Sequence, residues 1–183
     1  GGTGEDTLVL TDATTLATTD FDSLTNIETI QLSVDGNTIT FSTNEVSDIT
    51  DADNVLTIDN NGFTLALTAA GDDGGVVTVT GSGVTTLAAA SAITTSGDSI
   101  VVMSAGADSI TGGTGADTFR VAEANFASTD VLSGGTSTDT LNFTDAATIT
   151  SAELANKTSI EIISFSGTGN SVVLSDTFVN AAD

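Results

Sequence analysis

Short runs in which apolar and polar residues alternate recur along the whole chain and predict β-strands. Phe63, Leu65 and Leu67 share one face of such a run, and Val77 and Val79 share one face of the next. The runs are rich in Thr and Val, which favour an extended backbone. This pattern predicts eight strands, at residues 7–11, 28–33, 38–42, 55–59, 63–68, 76–80, 84–87 and 99–103.

Segments rich in Gly, Asn and Asp separate these runs and predict turns at 35–37, 60–62 and 71–75. We expect short helical turns at 20–24, 44–48 and 152–156, because each follows Ser or Thr and carries an acid in its first turn. A fourth is expected at 176–182. The spacing of the strands suits a β-solenoid or a β-sandwich, and the pattern does not choose between them for residues 38–95.

A glycine-rich motif stands out between residues 103 and 120. Residues 112–120 read G-G-x-G-x-D-x-U-x, where U is a large apolar residue, and residues 103–111 repeat the second half of the motif in phase. Glycine allows a tight turn, Asp is a hard oxygen ligand, and the last three residues form a short strand. Carboxylate and carbonyl oxygens from stacked turns suit Ca²⁺, so the motif predicts a calcium-binding parallel β-roll.

Related copies occur at 1–9 and at 134–142, the latter with Ser137 at a glycine position, while residues 125–133 keep only Asp130 and Leu132 in phase. The candidate carboxylate ligands are Asp108 and Asp117 in the first tandem pair, Asp130 and Asp139 in the second, and Asp6 in the opening copy. Gly106, Gly112, Gly113, Gly115 and Gly135 are expected to supply carbonyl oxygens or turn geometry. Asp98, one residue out of phase, is a further candidate ligand of the first site. The alternative is that these are ordinary Gly-Asp turns that cap strands.

A longer repeat appears when residues 1–46 are aligned without gaps on residues 134–179. The two segments share 19 identities in 46 positions. We therefore interpret residues 1–133 as one module, with a motif at 1–9, a β-rich body at 10–95 and tandem motifs at 96–133. Residues 134–183 are then the start of the next module, and the parent chain is expected to be a tandem array.

The charge of the chain is strongly one-sided. It has 25 acidic and 2 basic residues, a net charge of -23, which argues against nucleic acid or an anionic membrane surface as a partner. Disorder fits poorly, because 39% of the residues are hydrophobic and the mean hydropathy is +0.25. The absence of Cys excludes disulfides, so a metal is the expected staple. No transmembrane run is predicted, and the first residue, Gly1, suggests a fragment or a processed chain.

Catalysis is not expected. Without His, Cys or Tyr the chain lacks the usual nucleophilic and zinc-binding constellations, and nothing singles out one carboxylate pair among 25 acids. We expect Glu28 and Glu161, which match in the repeat, to be solvent-facing strand residues. Arg120 and Lys157 are expected to pair with surrounding acids, or to contact a neighbouring subunit.

The segments GGTGEDTLV, GGTGADTFR and GGTSTDTLN resemble the repeats of RTX proteins secreted by the bacterial type I pathway. With the recurring TNIETIQLS segment and a composition rich in Thr, Ser, Ala and Gly, they most resemble calcium-dependent surface-layer proteins and RTX adhesins. The nonapeptides identify a β-roll better than a function, because the same rolls occur in toxins, proteases and lipases.

The resemblance implies an extracellular protein at the bacterial cell surface that folds on binding Ca²⁺. We expect an all-β solenoid-like array of calcium-binding β-rolls with short parallel strands and a few helical turns. Its expected function is structural, as a subunit that assembles with itself into a surface layer or filament, with cell-surface polysaccharide as a second candidate partner. The alternatives are the stalk of an adhesin and the calcium-roll segment of a secreted enzyme.

Overall fold

The computed structural model describes residues 1–42, 45–50, 54–69, 75–89 and 91–174, and most of the regular structure in these ranges is β-strand. Two short helices, α1 (Glu45–Ile49) and α2 (Ser151–Leu154), and two 3-10 turns accompany the strands. The strands are β1 (Thr7–Leu10), β2 (Thr15–Leu16), β3 (Thr29–Leu32), β4 (Asn37–Phe41), β5 (Val55–Asp59), β6 (Leu65–Ala69), β7 (Val76–Thr80), β8 (Val84–Leu87), β9 (Ala92–Ser96), β10 (Ile100–Val102), β11 (Ser109–Thr111), β12 (Thr118–Val121), β13 (Val131–Ser133), β14 (Thr140–Phe143), β15 (Thr148–Thr150), β16 (Lys157–Thr158), β17 (Ile162–Phe165) and β18 (Ser171–Val173). No helix in these ranges is long and apolar enough to cross a membrane.

The chain winds as a parallel β-solenoid. Sheet 1 has the order β1-β3-β5-β7-β9-β11-β13-β16, and sheet 2 has the order β17-β14-β12-β10-β8-β6-β4-β2. Successive strands thus alternate between the sheets, and each turn of the solenoid, or coil, adds one parallel strand to each. A two-stranded sheet 3 (β15-β18) adds a third face at the end of the described chain. The expected all-β solenoid is confirmed, and it includes the described strands between residues 38 and 95, where the pattern left a sandwich open.

Coil length varies along the solenoid, and the glycine-rich motif lies where coils are short. Thr29 pairs with Thr57 across a long coil, whereas Ile100 pairs with Thr118 across a much shorter one. The short coil has the length of two nonapeptides. One nonapeptide is therefore half a coil, and consecutive copies lie in different sheets.

The core lies between the sheets and is filled by the apolar residue of each alternating pair. The burial pattern of β4 is typical, since Asn37, Ile39 and Phe41 are buried while the residues between them are partly exposed. The aromatic residues pack in pairs, with the rings of Phe21 and Phe41 4.8 Å apart and those of Phe126 and Phe143 5.0 Å apart.

Hydroxyl side chains dominate the outer face of sheet 1. One position of every strand there forms a ladder of Thr7, Thr29, Thr57, Thr78, Thr94, Thr111, Ser133 and Thr158.

All eight predicted strands are confirmed, with small differences at their ends. The helices are displaced: the turn expected at 20–24 is a 3-10 turn at Thr18–Asp20, and that expected at 152–156 is α2. The reason is that each acid is the third residue of its helical turn, where its carboxylate accepts a hydrogen bond from the backbone amide just before the turn. Asp20 accepts a hydrogen bond from the Ala17 amide (2.9 Å), and Glu153 accepts one from the Thr150 amide (2.8 Å). Helix α1 matches the expected 44–48 apart from residue 44, which, with residues 71–74 and 176–182, lies outside the described ranges.

The sequence repeat that relates residues 1–46 to residues 134–179 has a structural counterpart. Strands β1 and β3 correspond to β14 and β17, and both pairs are parallel in the same register. The copies differ in location, because β1 belongs to sheet 1 and β14 to sheet 2. Stacking also continues through residue 134, where β12 pairs directly with β14. The division into modules stays a prediction about the parent chain.

Candidate metal centre

The four motif aspartates each lie directly before a strand, in the turns that connect the two sheets. The register stacks Asp108 on Asp130 before the strands of sheet 1, and Asp117 on Asp139 before those of sheet 2. We call these stacks column 1 and column 2. Asp108 and Asp117, expected to act as one tandem pair, are not brought together, because one nonapeptide is only half a coil. Within a column, the turns that carry successive aspartates stack at the spacing of neighbouring strands, about 4.8 Å.

In both columns a carboxylate accepts a hydrogen bond from the backbone of the preceding coil. In column 2, Asp117 Oδ1 accepts from the Ser99 amide (2.9 Å) and Asp139 Oδ1 accepts from the Asp117 amide (2.8 Å). Glu161 ends this column, since its Oε2 accepts from the Asp139 amide (2.8 Å). The Asp side chains therefore link successive coils as well as forming the turns in which they lie.

Column 1 follows the same arrangement, starting from Ser91. Asp108 Oδ1 accepts from the Ser91 amide (3.0 Å), and Asp130 Oδ1 accepts from the Asp108 amide (3.1 Å). The second oxygens bind within their own turns, Asp108 Oδ2 to the Ser104 amide (2.8 Å) and Asp130 Oδ2 to the Ala127 amide (2.8 Å). Every carboxylate oxygen of column 1 thus has a donor within the protein.

The aspartates are buried, and burial disfavours their charged form. All four are 0–1% exposed. Desolvation raises the pKa of Asp108 and Asp117 above its ordinary value of 3.8, and the neighbouring carboxylates of Asp130 and Asp139 raise it further, against the opposing effect of the hydrogen bonds. A proton or a bound cation would relieve this penalty.

Column 2 offers a carboxylate oxygen that lacks a donor. The buried Asp139 Oδ2 has no hydrogen-bond partner in the part of the chain that the structure describes. A methyl group on Gly134 would collide with this oxygen and with the Ser159 carbonyl oxygen, so both acceptors border the same small space. The Gly112 position is likewise bordered by Asp117 Oδ2 and the Gly134 carbonyl oxygen. Carboxylate and carbonyl oxygens are the ligands that Ca²⁺ prefers, and column 2 fits this ion.

Column 1 ends instead on a cation of the protein itself. The Lys157 ammonium group donates to the carbonyl oxygens of Ala127 (2.6 Å) and Asp130 (2.8 Å) and lies 4.7 Å from the centre of the Phe126 ring. Burial lowers the pKa of Lys157, with partial compensation from the charges of Asp130 and Glu153. The acids expected around Lys157 are Asp130 and Glu153, whose charges act on it, while its hydrogen bonds go to carbonyl groups and not to their carboxylates. Because Lys157 supplies positive charge here, column 1 needs an external cation less than column 2.

The opening motif repeats the end of column 2. Asp6 Oδ2 accepts from the Gly2 amide (2.7 Å), and Glu28 Oε2 accepts from the Asp6 amide (2.7 Å). A methyl group on Gly1 would collide with Asp6 Oδ2 and the Asn26 carbonyl oxygen, as at Gly134. The expectation that Glu28 faces solvent was wrong, because its side chain turns towards Asp6 and is only 5% exposed. Glu161 is exposed at the last coil but makes the equivalent hydrogen bond.

The remaining candidates surround the columns. Asp98 is exposed, outside column 2 because Ser99 occupies the column position, and it accepts from the Ala116 amide (2.8 Å) of the next coil. The Gly106 amide donates to Ser104 Oγ (3.1 Å) in the turn of Asp108. Close backbone contacts with neighbouring coils leave no room for a side chain at Gly112, Gly113, Gly115 and Gly135.

Sequence reasoning missed the acceptor role of Glu28 and Glu161, although the sequence contains a signal for it. Asp108 and Asp130 are separated by 22 positions, as are Asp117 and Asp139, and Asp6 and Glu28. Acids that stack on one another are therefore separated in sequence by a whole coil and not by the nine residues of the motif.

Within the described residues, no three acidic side chains converge on one point, so a cation at these columns would take at most two carboxylates and otherwise carbonyl oxygens. No protein-family model matches the chain, and searches of curated proteins and of solved structures found no significant match.

Proposed function

We propose that this chain is a structural module of an extracellular, cell-surface protein that folds on binding Ca²⁺ and assembles with copies of itself into a surface layer or filament. The observation that carries the proposal is the pair of buried carboxylate columns, of which column 2 presents a carboxylate oxygen without a donor beside a carbonyl oxygen. An oxygen-only site of this kind suits a hard divalent cation.

Electrostatics explains why folding would depend on the ion. Two carboxylates about 5 Å apart repel each other by roughly 3 kcal/mol at an effective dielectric constant of 20. This repulsion adds to that of a chain with a net charge of -23. A cation that binds only the folded chain offsets both and shifts the equilibrium by mass action. Millimolar extracellular calcium is the range in which such modules bind.

The last described coil supports self-assembly. Ile163 is 37% exposed and Val172 42%, whereas their repeat equivalents Ile30 and Ile39 are fully buried. The equivalents are covered by the next coil, since β3 pairs with β5 and β4 with β6. The edge formed by β17 and β18 therefore presents apolar side chains and strands suited to a further coil of the same kind, from a following module or a second copy. An adhesin stalk is the second candidate, favoured by the unbroken stacking of coils.

Titration of EGTA-treated protein with Ca²⁺ tests the proposal, with far-UV circular dichroism and electron microscopy on the same sample. We expect β-structure and ordered assemblies to appear together at about 0.1–1 mM Ca²⁺. Folded single rods would favour the stalk. A chain that is fully folded in EGTA and indifferent to calcium contradicts calcium-dependent folding.

A matched pair of variants separates assembly from folding. Val172→Lys places a charge on the edge, where Val172 is 42% exposed and its repeat equivalent Ile39 is covered by the next coil, while Val76→Lys places the same charge on the outer face of β7, where Val76 is 44% exposed. Both variants should fold with calcium, and Val172→Lys alone should fail to form assemblies. Equal assembly by the two variants would exclude the edge as the contact surface.

A further inference from the structure

Two glutamates outside the nonapeptides occupy the same structural position. Glu28 accepts the Asp6 amide at 2.7 Å, and Glu161, its counterpart in the sequence repeat, accepts the Asp139 amide at 2.8 Å. Each glutamate immediately precedes a strand, β3 or β17, that pairs with the strand following the aspartate. The arrangement is therefore a repeated feature of the fold rather than a single local contact.

Each of these acid pairs contains a buried carboxylate oxygen without a partner among the described residues. At the first pair it is Glu28 Oε1, in a residue that is 5% exposed, and at the second it is Asp139 Oδ2, in a residue that is 0% exposed. A buried charged oxygen without a donor is costly, and the cost is removed when a cation binds it. The oxygen belongs to the glutamate in the first pair and to the aspartate in the second, so each pair offers one buried carboxylate oxygen that a cation could bind.

A backbone carbonyl completes each arrangement. The carbonyl oxygens of Asn26 and Ser159 border the same space as Asp6 Oδ2 and Asp139 Oδ2. Asn26 and Ser159 both have a left-handed backbone, with φ of 52° and 53°. This conformation is uncommon for residues other than glycine, and its recurrence preserves the same turn and carbonyl position at both pairs.

We propose that Glu28 with Asp6, and Glu161 with Asp139, each supply the two carboxylates of a Ca²⁺ site that the carbonyl oxygens of Asn26 and Ser159 help to close. This inference rests on the proposed calcium-dependent folding and adds two ligands that the nonapeptide motif does not contain. It also gives each glutamate a role as a ligand in the coil where a stack of acids ends. There its carboxylate takes the position that the aspartate of a further motif coil would occupy.

Calcium binding measured by isothermal titration calorimetry on the whole chain tests the proposal. Gln replaces Glu28 or Glu161 with an amide oxygen that still accepts the aspartate amide, so the hydrogen bond is retained while the ligand charge is lost. Glu5→Gln is the matched control, because Glu5 is exposed, is adjacent to Asp6 and makes no hydrogen bond within the described part of the chain. Far-UV circular dichroism in saturating calcium checks that each variant is folded.

We expect each of Glu28→Gln and Glu161→Gln to lose one bound Ca²⁺, or to weaken one site at least tenfold, and the double variant to lose two. Glu5→Gln should bind as the wild type does. If Glu28→Gln does not fold, the exposed Glu161→Gln decides, since its side chain fills no core position.

Two results overturn the inference, and they differ in what else they affect. Unchanged stoichiometry and affinity in both Gln variants would show that the glutamates only accept backbone hydrogen bonds, and would leave calcium binding by the aspartates intact. A wild-type chain that binds no Ca²⁺ at millimolar concentration would overturn this inference and the proposed calcium-dependent folding together.

Discussion

Mild acid should replace calcium in folding this chain, because two buried carboxyl groups bind protons more tightly when the chain is folded. Burial raises the folded-state pKa of Asp108 and Asp117 above the ordinary 3.8. Between the unfolded and folded pKa values the folded chain holds more protons, so the contribution of these two groups to stability is fully present below 3.8 and is lost as the pH rises through the folded value. Each group contributes up to about 1.4 kcal/mol per pH unit in that window, and the two together change the folding equilibrium up to about 100-fold per pH unit.

The assay is far-UV circular dichroism in EGTA between pH 7 and pH 4.5, because the chain has no Trp or Tyr for fluorescence. β-Structure should increase as the pH falls. Asp117→Asn removes one of the two groups and should make the dependence shallower by up to about 1.4 kcal/mol per pH unit. Asp35→Asn is the control: hydrogen bonds from Thr64 lower the pKa of Asp35, so its contribution falls below this pH range.

Saturating calcium should reverse the sign, because Ca²⁺ and protons compete for the same carboxylates, and stability should then fall as the pH falls. Loss of metal-free β-structure on acidification from pH 7 to 5 would contradict stabilisation by protonated Asp108 and Asp117. So would an Asp117→Asn variant that retains the full pH dependence of the wild type.

Three further substitutions test the packing of the coils. Gly112→Ala should destabilise the calcium-loaded chain by about 1–3 kcal/mol in urea unfolding, because its methyl group meets the backbone of the next coil, while Gly2→Ala, in open space, should change it little. Phe143→Ala removes a fully buried ring and should cost about 3–5 kcal/mol, with a smaller loss contradicting a well-packed core. Lys157→Met should weaken folding in EGTA more than in calcium, since it removes the positive charge next to Asp130, and equal losses would exclude that role.

The local structure was readable from the sequence because it depends on neighbours along the chain. Alternation placed Val77 and Val79 on one face of a strand, and the structure has both buried in β7, because successive side chains of a strand point to opposite faces. The nonapeptide identified Asp108 and Asp117 as turn residues for the same reason. Their partners were not readable from the motif, because stacking depends on coil length, which is short between Thr78 and Thr94 and long between Thr29 and Thr57.

Glu28 shows where local reasoning fails. A glutamate beside apolar residues in a strand pattern is ordinarily expected to face solvent, but a period of two puts Glu28 on the same side as Ile30 and Leu32, which are fully buried. The strand begins one residue later, at Thr29, so Glu28 belongs to the turn and is free to direct its carboxylate towards Asp6. The charged residue type led to the expectation of exposure, whereas the position of Glu28 on the core side of the pattern matches its observed burial.

The location of β14 in sheet 2 has a consequence for long chains. Where the sequence repeat begins again at Gly134, the strand equivalent to β1 lies in the next sheet of the solenoid. Modules that follow at this spacing would therefore be related by a screw rotation about the solenoid axis. Any surface feature that belongs to the repeated sequence would then advance around the rod from module to module. A rod of this kind presents the same contact surface in several directions, which is the property that a two-dimensional lattice needs and a single flat ribbon lacks.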